Sequence, residues 1–251
     1  MLNIIKLKNK LAQIKCRNNN ISLIFKNHMS STNNYLAYKY IKDMCPVVIS
    51  TYSQRSARGR KNKIWTSFNN QSLSFSLCLK IDTKIFDLRS LSYLACVALY
   101  ESIKSQDNRN FKIKWPNDIY LNNKKVSGIL IESYSISKKV YSSIGIGINL
   151  NLEAKNTNYP YANLRDNVDE EKLITYFCKR FFNSISENVN HEIIRIFNDN
   201  LYGYLSKVEI TSELEKNKGK LLGINEKGQL MLKSNNTITY IDNIGCTLRL
   251  L

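Results

Sequence analysis

Four strand-like runs follow one another between residues 111 and 152, and they constrain the fold more than any other feature. The runs are FKIKW, DIYL, KKVSGILIES and KVYSSIGIGINLNL, and PN and NN turn signals separate them. Directly before them, SLSYLACVALYESI (90–103) is apolar almost all round, as expected of a helix packed on both sides. The pattern predicts an α+β protein, in which helices pack on a mixed sheet.

Segments nearer the N-terminus add to this sheet. Apolar residues recur at helical spacing over residues 2–14, and ISLIFKN (21–27) is then predicted as a strand. SSTNNYLAYKYIKDM (30–44) offers Ser, Thr and Asn caps before a short helix. VVISTY (47–52) and LSFSLCL (73–79) are further strands. A helix that leads directly into a strand indicates the start of the fold, although a basic segment without acids is also typical of a transit peptide.

The pattern changes near Gly203. Asp169 is predicted to cap a helix with an acidic first turn, and a second helical run ends close to Gly203. From Leu205 onward the chain has short strands divided by Asn, Gly and Lys turns. We therefore predict a larger domain over residues 1–203 and a small antiparallel β-barrel over residues 204–251.

Cysteine and histidine usage argues against several kinds of site. The chain has six cysteines without a CxxC pair, and only two histidines. A zinc site and Ser-His or Cys-His nucleophilic catalysis are therefore not expected. Several cysteines lie in apolar runs, where a free thiol behaves as a small buried hydrophobe, so we expect a reducing compartment. No stretch approaches the ~20 apolar residues of a membrane span, and no membrane association is predicted.

The formal net charge of +17 raises the question of an anionic partner. The basic residues are unevenly distributed: residues 1–42 carry eight Lys or Arg and no acid, and residues 55–63 carry five and no acid. A basic nucleic-acid-binding module would place clustered charge beside exposed aromatic residues. It remains an alternative from a different class, although the sequence contains no recognition motif for nucleic acid.

The segment TYSQRSARGRKNKIW (51–65) has the densest charge and lies between two predicted strands. Arg58, Arg60 and Lys61 surround Gly59, where the backbone can approach a ligand closely, and such a cationic loop suits a polyphosphate. It matches neither the Walker nor the GxGxxG pattern. Taken alone, a solvated basic loop or a nucleic-acid patch is the commoner explanation.

Two further motifs place unusual residues in strands. In KIKWPNDIYLNNKKVSGILIE (112–132), Lys114 closes an alternating strand just before Pro116, which forces an extended or turning chain. The Lys114 ammonium is thus expected at a strand end. In SIGIGINLN (143–151), Gly145 and Gly147 lie on one face of a strand. Such a pair indicates that another backbone or a ligand passes close by.

These motifs together resemble a known family. SSTNNYL, Q-x3-RGR-x4-W, KWPNDIYL-x6-GILIE and GIGIN, in this order, are similar to the catalytic domain of bacterial biotin-protein ligases. The small C-terminal domain resembles the SH3-like domain of that family, so the resemblance covers essentially the whole chain. The helix-turn-helix domain of repressor-type members has no counterpart, and no specific DNA binding is expected.

The resemblance implies an ATP-dependent ligase. Such an enzyme activates biotin as biotinyl-5'-AMP, releases pyrophosphate, and transfers biotin to a lysine of a biotin carboxyl carrier protein of the acetyl-CoA carboxylase type. ATP and biotin are then the substrates, and Mg²⁺ is expected on the phosphates without an identified protein ligand. The first step joins two anions, so neutralisation by cations is the main requirement. A cytoplasmic enzyme that can form a homodimer is expected.

The resemblance also implies roles for individual residues. Lys114 is expected between the biotin carboxylate and the α-phosphate, and Arg58 and Arg60 are expected to gather phosphates, so these three are the predicted catalytic residues. Gly145 and Gly147 would let the bicyclic ring of biotin lie against the sheet. The predicted biotin site is Ser31, Thr32, Asn33, Gln54, Arg58, Gly59, Arg60, Lys114, Gly145 and Gly147. The predicted ATP and adenylate site is Arg58, Arg60, Lys61, Trp65, Lys114 and Asn149.

The chain departs from the family pattern in the cationic loop. The family usually has GRGRRG, whereas Ala57 and Asn62 replace the flanking glycines here. Because both adopt positive φ less readily than glycine, we expect a stiffer or less well-ordered loop. The nearest enzymatic alternative is a lipoate- or octanoate-protein transferase on the same scaffold. RGR-x4-W beside KWPND favours biotin.

Overall fold

The structure is a computed structural model, and it describes most of the chain. The described residues are 2–16, 19–34, 45–68, 71–83, 86–153, 160–164, 168–186, 190–212 and 215–251. Most of the helix predicted over residues 30–44 lies outside these ranges.

The N-terminal segment is a helix that leads into strands, as predicted. Helix α1 (Ile4–Ala12) is followed by a short ribbon of β1 (Lys15–Cys16) and β2 (Asn19–Asn20). The side chain of Asn3 caps α1 by accepting a hydrogen bond from the backbone N–H of Lys6 at 3.0 Å. Both leucines of α1, Leu7 and Leu11, are fully buried, so this helix contributes to the core of the fold.

Seven strands form the larger sheet. They are β3 (Ser22–Met29), β4 (Val47–Gln54), β5 (Ser72–Ile81), β6 (Phe111–Lys114), β7 (Asp118–Leu121), β8 (Lys124–Ile136) and β9 (Lys139–Asn149). Their order is β3-β4-β5-β9-β8-β7-β6. The β3–β4 pair is parallel and the other neighbours are antiparallel. The prediction of a mixed sheet is confirmed.

Three helices cover one face of this sheet. They are α2 (Ser90–Lys104), α3 (Glu170–Ser186) and α4 (Asn190–Asp199). The predicted cap of α3 is present, since Asp169 Oδ1 accepts a hydrogen bond from the N–H of Lys172 at 2.9 Å. Helix α2 packs against both other helices and against the sheet, which explains why it is apolar almost all round.

The two faces of the central strands differ in side-chain size. Phe75 of β5 packs on Phe177 of α3, with ring centroids 5.6 Å apart, so the large residues of β5 and β9 face the helices. The opposite face carries small residues. There, Ser76 lies beside Gly145, and Ser74 lies beside Gly147 in the β5–β9 register. This face therefore has room for loops and for a ligand.

A second, antiparallel sheet lies at the C-terminus. Its strands are β10 (Lys207–Thr211), β11 (Lys216–Ile224), β12 (Leu230–Ser234), β13 (Thr237–Ile241) and β14 (Thr247–Leu250). The order is β13-β12-β11-β10-β14, and no hydrogen-bonded pairing between the described residues of β13 and β14 closes it into a barrel. The five predicted strands are thus present. The domain boundary near Gly203 stays a prediction, and Gly203 lies between α4 and β10.

Two expectations drawn from composition can be compared with the described residues. Cys78, Cys96, Cys178 and Cys246 are free thiols, and all four are buried. Burial raises the pKa of the Cys78 thiol to about 12, so it is protonated at neutral pH. Within the described ranges, no helix combines the length and the apolar character that crossing a bilayer requires.

Candidate active site

A cavity of about 510 Å³ lies over the small-residue face of the larger sheet. Twelve of the thirteen predicted site residues line it. They are Ser31, Thr32, Asn33, Gln54, Arg58, Gly59, Arg60, Lys61, Trp65, Lys114, Gly145 and Gly147. Residues that are more than 100 positions apart in the sequence therefore converge on one site, as the family resemblance implies.

The loop after β3 presents two hydroxyl groups to this cavity. Ser31 and Thr32 are almost fully buried. Gln54 Oε1 accepts hydrogen bonds from the Thr32 N–H at 2.9 Å and from its hydroxyl at 3.3 Å. The Ser76 hydroxyl oxygen lies 2.7 Å from the Thr32 hydroxyl oxygen. The loop is thus held by the end of β4 and the middle of β5.

Asn33 occupies the space beside Gly145. A Cβ atom at Gly145 would lie only 2.8 Å from Cγ of Asn33. Asn33 Oδ1 accepts hydrogen bonds from Ser76 at 2.6 Å and from Ser143 at 3.0 Å, and its Nδ2 donates to the Leu130 carbonyl at 3.1 Å. Asn33 therefore fixes the loop to the sheet.

Trp65 occupies the corresponding space beside Gly147. A Cβ atom at Gly147 would lie 2.6 Å from Cζ2 of the indole, and one at Gly128 would lie 3.2 Å from Cζ3. Contact of a ligand with Gly145 and Gly147, which line the cavity, stays a prediction. The close approach seen in the structure is made by the side chains of Asn33 and Trp65 rather than by another backbone. The physical reason is that a residue larger than glycine leaves no room for either side chain against the sheet.

The cationic loop is closed by its own backbone. The N–H of Gly59 donates to the Lys63 carbonyl at 2.7 Å, and the N–H of Trp65 donates to the Ala57 carbonyl at 3.0 Å. The positive φ in this loop falls on Lys61, at 54°, and Ala57 does not adopt one. A positive φ is therefore not required at Ala57, and the stiffer or less well-ordered loop stays a prediction.

The two arginines of the loop have different surroundings. Arg60 donates to Asn117 Oδ1 at 3.2 Å and to the carbonyl of Asn243, between β13 and β14 of the second sheet, at 2.7 Å. Burial lowers the pKa of the Arg60 guanidinium, and the nearby Asp118 carboxylate opposes this shift. Arg58 is more exposed and pairs with Glu132 at 3.1 Å. Arg60 thus connects the loop to the second sheet.

Lys114 lies at the end of β6, where the sequence predicted a strand end. Its Nζ donates to the Tyr120 hydroxyl at 3.1 Å. Burial lowers the pKa of Lys114, while Asp118 acts in the opposite direction. Asp118 itself pairs with Lys125 Nζ at 2.6 Å. Lys114 is therefore a partly desolvated cation that forms no ion pair of its own among the described residues.

Asn149 is the predicted residue that the structure does not place in the cavity lining. It is fully buried, and its Nδ2 donates to the carbonyls of Lys125 and Ala162 at 3.1 and 3.4 Å. Its Oδ1 has no hydrogen-bond partner among the described residues. Asn149 thus anchors the segment around Ala162, and it keeps one buried acceptor unused.

Sequence reasoning missed the contribution of the second sheet. Cys246, Thr247, Leu248 and Arg249 of β14 and its preceding turn line the cavity. It also missed Lys125 and Tyr120, which lie beside Trp65 and Lys114. No local signal identifies these residues, since only the packing of one sheet beside the other brings them to the site.

The cavity is strongly cationic. Its lining includes the seven cations Arg58, Arg60, Lys61, Lys63, Lys114, Lys125 and Arg249, and the single carboxylate of Asp118. A site with this excess of positive charge binds polyanions such as nucleotide phosphates. Within the described ranges, no cluster of three or more His, Cys, Asp or Glu could hold a metal ion.

Comparison with known proteins agrees with these observations. The Biotin/lipoate A/B protein ligase family matches residues 26–149. The bifunctional ligase/repressor BirA of Bacillus subtilis is 27% identical over 235 residues, which cover 87% of this chain and 71% of that protein. Biotin--protein ligase 2 of Arabidopsis thaliana is 30% identical over 176 residues, which cover 64% of this chain and 52% of that protein. The chain thus matches between about half and seven tenths of these relatives.

A solved structure has the same fold. The biotin protein ligase from Aquifex aeolicus in complex with biotin and ATP superposes with a TM-score of 0.76 and 24% identity, covering 91% of this chain and 99% of that chain. Residues 26–149 therefore match the biotin/lipoate A/B protein ligase family, and the chain is similar to bacterial BirA proteins and biotin-protein ligases.

Proposed function

We propose that the protein is a biotin-protein ligase, which forms biotinyl-5'-AMP from biotin and ATP and transfers the biotinyl group to a lysine of a carboxyl carrier protein. The observation that carries the proposal is the cavity in which Lys114 and the loop arginines meet the buried hydroxyls of Ser31 and Thr32. Homology to biotin-protein ligases supports it.

Adenylation brings two anions together, the biotin carboxylate and the α-phosphate. Their mutual repulsion falls when a cation lies between them, and Lys114 is suited to this because partial burial strengthens its electrostatic effect. The carboxylate is already ionised and attacks phosphorus directly, so the step needs no general base. Arg58 and Arg60 would stabilise the charge on the departing pyrophosphate.

The uncharged part of biotin needs hydrogen-bonding groups in a dry site. Ser31, Thr32 and Gln54 supply such groups at one end of the cavity, and we propose that they bind the ureido or carboxylate oxygens. Trp65 is held between the sheet and the loop and offers an aromatic surface near the adenine. The unused Oδ1 of buried Asn149 supports its proposed position near the adenine, although Asn149 does not line the cavity.

In the second step, a neutral lysine amine of the carrier attacks the mixed anhydride, and AMP leaves. Asp118 is the carboxylate nearest to this chemistry, but it pairs with Lys125 and begins β7. We therefore propose that Asp118 holds the turn rather than acting as the base. Magnesium would be bound mainly by ATP oxygens, because the described residues offer no metal-ligand cluster.

The deciding experiment incubates the protein with biotin, Mg-ATP and a biotin carboxyl carrier domain, and reads the acceptor by mass spectrometry. We expect the mass of one biotinyl group to be added, and Lys114→Ala to lack both this product and pyrophosphate release. Lipoate replaces biotin in a parallel reaction. Release of pyrophosphate with lipoate instead of biotin would select the lipoate- or octanoate-transferase alternative.

The domain boundary, the oligomeric state and the location of the protein are also proposals. We propose a catalytic domain over residues 1–203, a C-terminal domain over residues 204–251, a homodimer and a cytoplasmic enzyme. Limited proteolysis that cuts near Gly203 would support the boundary, and light scattering would report the oligomeric state.

A further inference from the structure

A single carboxylate outside the cavity lining joins the two loops that carry the predicted site residues. Glu132 lies on β8, and its side chain is 22% exposed. Its Oε2 accepts a hydrogen bond from Asn33 Nδ2 at 2.9 Å. Its Oε1 accepts from Arg58 Nη2 at 3.1 Å. The loop after β3 and the cationic loop are thus both bonded to the Glu132 side chain.

The Asn33 end of this connection is rigid. Asn33 is 3% exposed, and its amide makes two donated and two accepted hydrogen bonds, which is its full capacity. Gly145 provides the space that this amide occupies. The Asn33 amide cannot rotate without breaking several hydrogen bonds, so it holds the Glu132 carboxylate in a fixed position.

The Arg58 end is adjustable by contrast. The Arg58 side chain is 39% exposed, and besides Glu132 it donates to Asn34 Oδ1 at 2.6 Å. A free arginine side chain has many rotamers, and binding an anion requires that most of them be abandoned. A carboxylate that already limits those rotamers reduces the conformational entropy that Arg58 loses when it binds a phosphate.

We propose that Glu132 is a positioning residue for Arg58, and that Gly145, Asn33 and Glu132 form one tether from the sheet to the cationic loop. Without nucleotide, Glu132 keeps the guanidinium at the cavity wall. When the phosphates bind, they share or replace the carboxylate as partners of Arg58. The nucleotide part of this proposal rests on the proposed function.

The first test compares two isosteric variants. Glu132→Gln can still accept from Asn33, but it loses the negative charge that faces Arg58. We expect the KM for ATP in pyrophosphate release to rise about fivefold, while the KM for biotin stays within about twofold. Glu101→Gln is the matched control, because Glu101 pairs with Arg180 at 2.6 Å, is 23% exposed and lies on α2 away from the cavity. It is expected to leave both constants unchanged.

The second test needs no turnover. Hydrogen exchange of residues 57–64 in the ligand-free protein is expected to be faster in Glu132→Gln than in wild type or Glu101→Gln. In an Arg58→Ala background, Glu132→Gln is expected to add no further increase, because the partner it holds is gone. If exchange is unchanged in Glu132→Gln, or increases equally in both backgrounds, the tether is refuted. Absence of pyrophosphate release in wild type would instead refute the proposed function, and the exchange result would still decide on the tether.

Discussion

At the scale of single residues, burial and the neighbouring side chains decide what each predicted residue can do. The motif around KWPND predicts a lysine at a strand end, and Lys114 is found there. The structure adds that Nζ is partly buried and touches the Tyr120 ring, 4.6 Å from its centroid. A lysine in this position loses its proton more readily than a solvated lysine does. While it is charged, it interacts more strongly with an anion.

The pH dependence of adenylation should report on Lys114. Because burial lowers its pKa, Lys114 loses its proton at a lower pH than an ordinary lysine does. The proposed role needs the charged form, which exists below that pKa, so the rate of pyrophosphate release should fall as pH rises through it. Lys114→Arg, which stays protonated, should be slower but should lack this alkaline loss. An identical alkaline limb in both proteins would argue against the assignment.

The glycines of the site are expected to differ in their tolerance of a methyl group. Gly147→Ala would drive Cβ into the Trp65 indole, and overpacking of this kind lowers the free energy of unfolding by about 1–3 kcal/mol. Gly59→Ala is the matched control, since its nearest neighbour would be the Lys63 carbonyl oxygen at 3.5 Å and its φ of −109° suits alanine. Its effect should stay within about 0.5 kcal/mol. Urea denaturation measures both, and equal losses would contradict the packing argument.

At the scale of elements, α1 shows how a basic N-terminal segment is built into the fold. Glu171 at the start of α3 accepts from the N–H of Asn3 at 2.5 Å and pairs with Lys6 at 3.3 Å. The apolar positions Leu7 and Leu11 face the core. The transit-peptide interpretation of the same residues does not explain these contacts.

Leu7→Ala should therefore destabilise the protein. Leu7 is 0% exposed, and truncation of such a side chain costs about 2–5 kcal/mol in unfolding free energy. Ile5→Ala on the same helix is the control: Ile5 is 76% exposed, and its truncation should change stability by less than about 0.5 kcal/mol. Thermal and urea unfolding followed by circular dichroism would measure the difference. Similar behaviour of the two variants would mean that α1 adds little to the stability of the fold.

At the scale of the whole molecule, the cavity is completed by two sheets that are far apart in the sequence. Arg60 bonds to the Asn243 carbonyl, and Arg249 of β14 is close enough to lower the pKa of Lys114. Seven basic residues and one carboxylate line this cavity, so part of the positive charge that could suggest a nucleic-acid partner is gathered around one site.

Binding to DNA should accordingly be weak and sensitive to salt. A net charge of +17 attracts any polyanion at low ionic strength, and such binding weakens steeply as salt rises. Gel shifts with an arbitrary duplex and its scrambled version are expected to show equal retention at low salt and none at physiological salt. Retention of one sequence over the other at physiological salt would favour the nucleic-acid-binding alternative.

The sequence by itself determined most of the elements and most of the site. Hydrophobic periodicity and turn residues are local signals, so they located the strands of the two larger sheets and the four helices α1 to α4. The motifs identified twelve residues that line the cavity. Tertiary structure decided which groups lie against Gly145 and Gly147. Two glycines on one strand face indicate a close approach, but they do not identify Asn33 and Trp65 as the side chains that make it. The same holds for Glu132 and Arg249. Only folding brings such distant residues together, since their contacts depend on strand order and on how the two sheets pack, which no local pattern encodes.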